Sequence, residues 1–425
     1  MKRPISFVAA VLLVAACSGT ALPSPSPEPA TAAAVPTSAP VTAAPPASVR
    51  PTSVPPASAS PVAAQRTPPP FALLPALPTG KLDATTAAAL QKVLDDLVAQ
   101  GAPDAIAAVI TADGHWSGAA GVDGPKGRLA DPADQFGLIS GSKTVLATLI
   151  LRLVQDGRMD LDAPLASYLG DLPVDANGAT VRQALGMRSG IGVTPSELVA
   201  EAGADCGRVW KREELVPSIP APHASPGVTV EYSNPTYKLL ALAAEHVTGT
   251  SLEAAYHDYV FAPAGVKGMV QQGPARATRK PWALPIAGHE GKLGLANFGK
   301  GGMLPCASIE TFSIQNAVAG DAPSVARFGW SLFSGGLLDR DSLTAMTTVT
   351  AGDSPDDPDY YGLGIGRVPD FFYSTLAYGM GGSEDGYSSF VAILPERQAV
   401  AVLFSNDRTT DNMVGTRELV RALGD

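Results

Sequence analysis

The sequence predicts an α+β fold: an antiparallel sheet flanked by helices, with a helical subdomain inserted between its strands. Two pairs of short apolar segments, one near each end of the folded part, are each separated by a few turn-forming residues and are typical of β-hairpins. A segment with helical apolar spacing lies beside each pair, and the long region between the two pairs is richer in helix and loop. Strands at both ends of one domain and helices in its middle indicate this class.

Apolar spacing and turn residues place the elements of this fold. The first helix is predicted over 85–100, where leucine and valine recur at intervals of three and four before Gly101 ends the helix. The hairpins follow from apolar runs on either side of the turn 112–114 and of the turn 395–397. The predicted strands and the last helix are 105–110, 115–121, 388–394, 399–405 and 412–423.

The composition favours a globular domain and argues against binding of nucleic acid. The chain has 425 residues, 45% of them hydrophobic, and its 40 acidic and 30 Lys or Arg side chains give a net charge of −10. A nucleic-acid surface needs a basic stripe, which this balance does not favour. The five histidines are scattered and none stands at the spacing of a metal-binding motif, so we predict neither a metal site nor a cofactor.

The first residues read like the export signal of a bacterial lipoprotein. Lys2 and Arg3 precede an apolar run over 5–14 that is too short to cross a bilayer as a helix. The sequence Val-Ala-Ala-Cys that ends at Cys17 resembles the lipobox. This resemblance implies a signal peptide over 1–16, cleavage before Cys17 and a diacylglycerol on its sulfur, which would anchor the protein to the membrane. In the alternative, the segment is an ordinary secretory signal and Cys17 carries no lipid.

Residues 17–80 are predicted to form a disordered tether. Pro, Ala, Ser and Thr dominate this segment, which has no apolar periodicity and cannot bury enough surface to offset its ordering entropy. Its prolines favour extended polyproline II, which would span on the order of 100 Å. With the lipid anchor, the tether predicts a folded domain over 81–425 that is held outside the cytoplasm at the bacterial cell membrane. The alternative is a filler of biased composition without a specific role.

The folded domain contains two cysteines, Cys206 and Cys306. Two cysteines outside the cytoplasm can form a disulfide. Sequence spacing carries no geometry, however, so their pairing stays open.

The first candidate catalytic residues are Ser140 and Lys143, which form a Ser-x-x-Lys motif. Apolar residues repeat at three and four from Val145 to Val154, so a core helix is predicted to begin at or just after Ser140, and Gly157 fits its C′ position. Residues three apart share a helix face, and burial favours a neutral lysine amine that can take the serine proton. In the alternative, Ser140 caps the helix and Lys143 is exposed.

Further motifs follow in a fixed order. They lie at 157–169 (Gly-x-x-Asp-Leu-Asp-x-Pro-x-x-x-Tyr-Leu), 180–191, 232–234 (Tyr-Ser-Asn), 361–364 (Tyr-Gly-Leu-Gly) and 379–389. Together with the Ser-x-x-Lys motif, this series resembles the family of class C β-lactamases, DD-peptidases and related esterases over nearly all of 81–425. The resemblance implies a β-lactamase/DD-peptidase-like fold.

The resemblance also implies a mechanism of serine acylation. Ser140 would attack a carbonyl carbon and become acylated, Lys143 and Tyr232 would share the movement of protons, and Asn234 would hold Lys143 and a substrate amide. A tyrosine near a lysine can have its pKa lowered and then act as the base. Without the resemblance, Tyr232 reads as a buried packing aromatic and Asn234 as a turn residue ahead of a proline.

The resemblance implies that the motif at 379–389 supplies the rest of the site. The oxyanion would meet the backbone N–H groups of Ser140 and Ser383, and Gly381 and Gly382 would let substrate approach the strand closely. Members of the family carry Lys, His or sometimes another residue where this chain has Met380, and the resemblance implies that the cation helps to bind a substrate carboxylate. Met has no charge and donates no hydrogen bond, so recognition of a carboxylate should weaken by roughly 1.5–3 kcal/mol.

These observations predict an exported serine hydrolase for a small ester, amide or peptide. Met380, and Met187 at a position where the family often has His, disfavour β-lactamase and carboxypeptidase activity and favour an esterase or amidase acting on an uncharged acyl group. A catalytically silent relative that binds a ligand without turnover is the alternative, and a solute-binding lipoprotein is the rival from another class. No serine has glycine at both −2 and +2, which argues against an α/β-hydrolase, and the lack of repeats argues against a structural cell-wall protein. The oligomeric state stays open.

Overall fold

The computed structural model describes residues 65–66, 71–124, 126–194, 211–271, 318–350, 361–384 and 386–424. These residues all lie in one compact unit, Ala59–Asp425. The predicted signal peptide 1–16, the predicted lipidation site Cys17, and Cys206 and Cys306 lie outside the described residues.

The described secondary structure has strands towards both ends and helices in the middle. The strands are β1 (Gln65–Arg66), β2 (Asp104–Thr111), β3 (Gly114–Asp123), β4 (Arg128–Leu129), β5 (Phe136–Gly137), β6 (Met269–Gln271), β7 (Val318–Gly320), β8 (Val349–Thr350), β9 (Gly366–Phe372), β10 (Thr375–Glu384), β11 (Tyr387–Leu394) and β12 (Ala399–Ser405). The helices are α1 (Ala84–Ala99), α2 (Ser142–Gln155), α3 (Val181–Leu185), α4 (Arg212–Leu215), α5 (Asn234–Thr248), α6 (Leu252–Tyr256), α7 (Ala322–Phe333), α8 (Arg340–Thr347) and α9 (Asn412–Ala422).

One antiparallel sheet organises the domain. Its seven strands run in the order β4-β3-β2-β12-β11-β10-β9. Strands β2 and β12, one from each predicted hairpin, pair near its middle with Ala108 opposite Val402. The two ends of the domain therefore share one sheet, and helices α2 to α8 lie in the insertion between β3 and β9. The predicted α+β fold is confirmed.

The sheet separates two hydrophobic cores, because successive side chains of a strand point to opposite faces. On β2, Ile106 and Ala108 pack with the helical insertion in the larger core. The intervening residues Ala105 and Ala107 pack with α1 and α9 in a smaller core on the other face. Each face therefore carries its own helices, and the larger core holds α2, on which the candidate site is built.

Local signals set the ends of the helices. Helix α1 begins after Asp83, whose carboxylate accepts hydrogen bonds from the N–H groups of Thr85 and Thr86 at 2.8 and 3.0 Å. Helix α2 ends just before Gly157, whose φ of 66° is the left-handed conformation predicted for a C′ glycine. Within the described ranges, every helix falls short of the length and hydropathy that a bilayer crossing requires.

The predicted end of the tether needs a correction, because residues 71–80 pack on the domain. Leu74 is 3% exposed, and its N–H donates to the carbonyl oxygen of Phe333 at 2.9 Å. The indole N–H of Trp330 donates to the carbonyl oxygen of Pro75 at 2.9 Å. A short apolar run within the proline-rich segment causes this packing, so the folded domain includes residues 71–80 as well as 81–425.

Candidate active site

The candidate nucleophile lies on a strained turn. Ser140 occupies the 3-10 turn Ile139–Gly141, and α2 begins two residues later at Ser142. Ile139 has a φ of 49°, a left-handed conformation that costs a residue with a Cβ about 1–2 kcal/mol. Strain of this kind is concentrated at functional sites, where surrounding structure must hold it. The half-buried Ser140 is thereby presented beside the start of a core helix.

Lys143 is fully buried next to the serine. Its Nζ lies 3.3 Å from Ser140 Oγ, and the residue is 0% exposed. Nζ also lies 4.9 Å from the ring centroid of Tyr232 and 5.8 Å from that of Tyr237. The alternative in which Lys143 is an exposed surface residue is therefore wrong.

Tyr232 reaches the same serine from the other side. Its hydroxyl donates to Ser140 Oγ at 2.7 Å. The residue is 41% exposed, yet protein atoms surround its hydroxyl, and this desolvation raises the pKa of the phenol above its ordinary value. The lowered pKa considered from the sequence is not what the structure shows. Tyr232 therefore stays protonated at neutral pH and is a hydrogen-bond donor there.

Asn234 lies two residues further on, at the start of α5. Ser233 caps this helix by accepting a hydrogen bond from the N–H of Thr236 at 3.2 Å. Asn234 is half-buried, and its Oδ1 is a buried acceptor without a partner among the described residues. A buried acceptor that is left unsatisfied costs free energy. An N–H group of a ligand would satisfy it.

Strand β10 passes close to the nucleophile turn at Gly382. A Cβ added to Gly382 would lie 2.3 Å from the carbonyl oxygen of Leu138 and 2.9 Å from Ser140 N. The hydroxyl of Ser389, on β11, also donates to the Leu138 carbonyl at 3.1 Å. The strand and the turn thus approach as closely as backbone allows, and this approach requires glycine. Ser383 follows on the same strand and is exposed.

Met380, which stands where the resemblance puts a cation, contacts a second tyrosine. Met380 is half-buried on β10, one residue before Gly381. The hydroxyl of Tyr361 donates to Met380 Sδ at 3.9 Å. The thioether therefore occupies the place at which the resemblance puts Lys or His, and it acts there as a weak acceptor.

Two tyrosines at the site were missed as site residues by the sequence reasoning. Tyr237 is 0% exposed, donates to the carbonyl oxygen of Leu185 at 2.6 Å and is hydrogen-bonded to Tyr361. Desolvation raises the pKa of both phenols. The spacing of Tyr237 from Ser233, one helical turn, and the place of Tyr361 in the motif 361–364 were the available signals. Among the described residues, no group of His, Cys, Asp and Glu side chains is arranged to hold a metal ion.

A serine that touches a buried lysine and a tyrosine hydroxyl, set between a core helix and an antiparallel sheet, is the arrangement of a serine hydrolase of the β-lactamase and penicillin-binding type. Comparison with known proteins agrees with this class. Residues 90–425 match the model of the Beta-lactamase family, and the chain belongs to that family.

Solved structures share the fold over most of the chain. A D-stereospecific amidohydrolase from a Streptomyces species is 25% identical with a TM-score of 0.65, covering 79% of this chain and 98% of its own. A D-amino acid amidase from Ochrobactrum anthropi SV3 is 22% identical with a TM-score of 0.65, covering 80% and 99%. A penicillin-binding protein homologue from Pyrococcus abyssi is 19% identical with a TM-score of 0.64, covering 79% and 76%.

Curated relatives match in part. Protein flp of Staphylococcus aureus is 29% identical over 150 residues, which are 32% of this chain and 28% of flp. PbpX of Bacillus subtilis, which is named as a penicillin-binding protein, is 25% identical over 292 residues, which are 65% of this chain and 63% of PbpX. The chain thus spans less than two thirds of the length of either relative.

Proposed function

We propose that the protein hydrolyses esters or amides through an acyl-enzyme on Ser140, with Lys143 and Tyr232 moving the protons. One observation carries this proposal: Ser140 Oγ lies 3.3 Å from Lys143 Nζ and 2.7 Å from the Tyr232 hydroxyl. Two groups that exchange protons therefore meet at one accessible serine. This is the arrangement that activates a serine for attack on a carbonyl carbon.

The two groups take different roles, because desolvation keeps the Tyr232 phenol protonated. In the acylation step, the neutral amine of Lys143 accepts the Ser140 proton as Oγ bonds to the carbonyl carbon. Tyr232 then gives its proton to the leaving nitrogen or oxygen as the old bond breaks, and Lys143 returns a proton to Tyr232. In deacylation, Tyr232 passes its proton to Lys143 and takes a proton from the water molecule whose oxygen bonds to the acyl carbon. Lys143 then gives its proton to Ser140 Oγ as the bond between Oγ and the acyl carbon breaks, which releases the acid and restores Ser140.

The charge that develops on the carbonyl oxygen is assigned to the backbone N–H groups of Ser140 and Ser383. The close approach of Gly382 to Ser140 N supports this assignment, because it brings β10 and the nucleophile turn together without an intervening side chain. Asn234, whose Oδ1 has no partner among the described residues, is assigned to the N–H of a substrate amide.

The proposed substrate carries no carboxylate near the scissile bond. Met380 replaces the cation of related proteins and contacts the Tyr361 hydroxyl, so the site offers no positive charge at that position. The amidohydrolase from Streptomyces, similar over 98% of its own length, supports a small amide as one substrate class. An ester with an uncharged acyl group fits the same chemistry.

The proposed location is outside the cytoplasm, with the mature chain anchored through a lipid on Cys17. The sequence before Cys17 supports export, and the proline-rich segment after it supports a spacer between membrane and domain. Metabolic labelling with a radioactive fatty acid tests the anchor. Label in the parent protein and none in Cys17→Ala is the expected result, and equal labelling of both would exclude Cys17 as the site.

The activity is tested by intact-protein mass spectrometry of the full chain in detergent, after incubation with a fluorophosphonate or a penicillin. Ser140→Ala is the loss variant, and Ser218→Ala, at a second serine beside a buried lysine, is the matched control. Labelling of Ser140 by the fluorophosphonate alone supports an esterase or amidase. Labelling by both reagents would favour penicillin recognition despite Met380. An unlabelled Ser140 with either reagent would favour the silent relative that binds without turnover.

A further inference from the structure

Met187 has a backbone conformation that its surroundings must hold. It follows α3 with a φ of 60° and is 1% exposed. Residues with a Cβ rarely adopt this left-handed conformation, because it brings the Cβ close to the backbone. A residue kept in such a conformation next to a candidate site calls for a reason.

Met187 accepts two hydrogen bonds, from the residues immediately before and after Tyr232. The carbonyl oxygen of Met187 accepts from the N–H of Glu231 at 2.8 Å. Its Sδ accepts from the N–H of Ser233 at 3.4 Å. One residue therefore binds the N–H groups of both chain neighbours of Tyr232, Glu231 and Ser233, and the backbone between these two N–H groups sets the direction of the Tyr232 side chain.

The ring of Tyr232 depends on this anchoring more than a core ring would. It is 41% exposed, whereas Tyr237 beside it is fully buried. Its polar contacts are with Ser140 Oγ, 2.7 Å from its hydroxyl, and with Lys143 Nζ, 4.9 Å from its ring centroid. Packing restricts an exposed ring less than a buried one, so its backbone has the larger part in keeping the hydroxyl on Ser140.

Neighbouring contacts of the same loop have a different effect. The hydroxyls of Ser189 and Thr236 are 2.6 Å apart, and the hydroxyl of Ser233 donates to the carbonyl oxygen of Gly192 at 3.1 Å. Both contacts lie on the C-terminal side of Tyr232 and fix the start of α5. Met187, by contrast, contacts the chain on both sides of the tyrosine.

We propose that Met187 is a positioning residue for Tyr232, with its thioether sulfur and its carbonyl oxygen as two anchors that keep the phenol on Ser140. The catalytic consequence rests on the proposed function, but the placement of Tyr232 does not require turnover. Histidine suits the same task, because it offers a ring-nitrogen acceptor and is one of the residues that tolerate positive φ.

The test compares Met187→Leu and Met187→His with the matched control Met159→Leu. Leucine keeps a buried apolar side chain but removes the sulfur acceptor, and Met159 is also buried, at 4% exposure, in the same core. We measure kcat and KM for p-nitrophenyl acetate as a function of pH. Met187→Leu should lower kcat roughly tenfold, which is about the effect of losing one hydrogen bond, and should leave KM within about twofold. The basic limb of its pH profile should be displaced from that of the parent protein. Met187→His should restore kcat, and Met159→Leu should leave it unchanged.

A second readout separates this proposal from the proposed function. NMR spectra of protein with 13C-labelled tyrosine report the surroundings of Tyr232 without turnover. The peak that is lost in Tyr232→Phe assigns this residue. Met187→Leu should shift this resonance, and Met159→Leu should not. If the parent protein has no activity, the proposed function fails and the shift still decides the placement. An unchanged resonance in Met187→Leu, or equal kcat losses in Met187→Leu and Met159→Leu, would overturn the proposal.

Discussion

Among the described residues, two buried lysines each lie beside a serine, and the surroundings of the two pairs differ. Lys143 Nζ is 3.3 Å from Ser140 Oγ, and Lys238 Nζ is hydrogen-bonded to Ser218 Oγ. Both lysines are at most 1% exposed, and both belong to core helices, α2 and α5. The chain therefore offers an internal control for its own candidate site.

The two serine oxygens have different partners. Ser218 is 1% exposed and donates its proton to the carbonyl oxygen of Leu215 at 2.5 Å, so substrate cannot reach the oxygen and the proton is already committed. Ser140 is half-buried, accepts a hydrogen bond from Tyr232 and lies where β10 approaches at Gly382. Under the proposed function, pairing with lysine is thus insufficient to make a nucleophile. Access, a second proton-transfer group and nearby backbone N–H groups make the difference.

Replacing each lysine with methionine gives the largest expected contrast. We expect Lys143→Met to lower kcat for p-nitrophenyl acetate by about 10³-fold, which is within the range for loss of a proton-transfer group. Lys238→Met should keep kcat within about twofold, because its serine is closed to substrate. Steady-state kinetics measure the effect, and circular dichroism checks that both variants fold. Equal losses in the two variants would break the comparison, since the lysines would then act through the core rather than through chemistry.

The phenol beside Ser140 is the second difference between the pairs. We expect Tyr232→Phe to lower kcat by about 10²-fold with little change in KM, because the ring stays and only the donor to Ser140 is lost. Tyr237→Phe is the control, since the Tyr237 ring lies 5.8 Å from the same Lys143 Nζ but its hydroxyl donates to the carbonyl oxygen of Leu185. This control should lower the Tm, by leaving a buried carbonyl without its donor, and change kcat little. Full activity of Tyr232→Phe would remove the phenol from the mechanism.

The buried Lys238 should instead affect how the free energy of unfolding depends on pH. Desolvation lowers the pKa of Lys238 from 10.5 to about 7 in the folded protein. Between these values the unfolded chain binds the proton and the folded protein does not, so the free energy of unfolding rises with pH across this window, by at most about 1.4 kcal/mol per pH unit. We expect a rise of about 2 kcal/mol between about pH 7 and pH 9, measured by guanidinium unfolding, that Lys238→Met lacks. Parallel pH profiles of the two proteins would show that Lys238 is equally protonated in both states.

Much of the fold could be predicted because its signals are local. The apolar runs of the strands, the end of α1 before Gly101 and the left-handed Gly157 are each set by residues close in sequence, and the predicted strand and helix bounds agree with the structure to within two residues. The exception is the segment 71–80. Its proline-rich composition predicts a tether, but Leu74 packs on a helix more than two hundred residues further along the chain.

The candidate site, too, could be predicted from the sequence only in part. Ser140, Lys143 and Tyr232 could be expected together because the motifs stand in a recognisable order, and the structure places them within hydrogen-bond distance. The contact between Tyr361 and Met380 and the anchoring of Ser233 by Met187 were not predicted. Both join a thioether to a group that only the three-dimensional fold brings near, and no spacing rule covers such contacts.

Placing an ammonium group at residue 380 tests substrate choice with the smallest expected effect. Met380→Lys should raise kcat/KM for a substrate with a terminal carboxylate about tenfold relative to the matching carboxamide. The gain falls at the lower end of a charged hydrogen bond, because the position is partly open to solvent. Met380→Leu is the control, since it also removes the sulfur that accepts from Tyr361 but adds no charge. If the ratio of carboxylate to carboxamide is the same in both variants, the missing cation does not limit recognition, and the specificity of the site is set by groups other than residue 380.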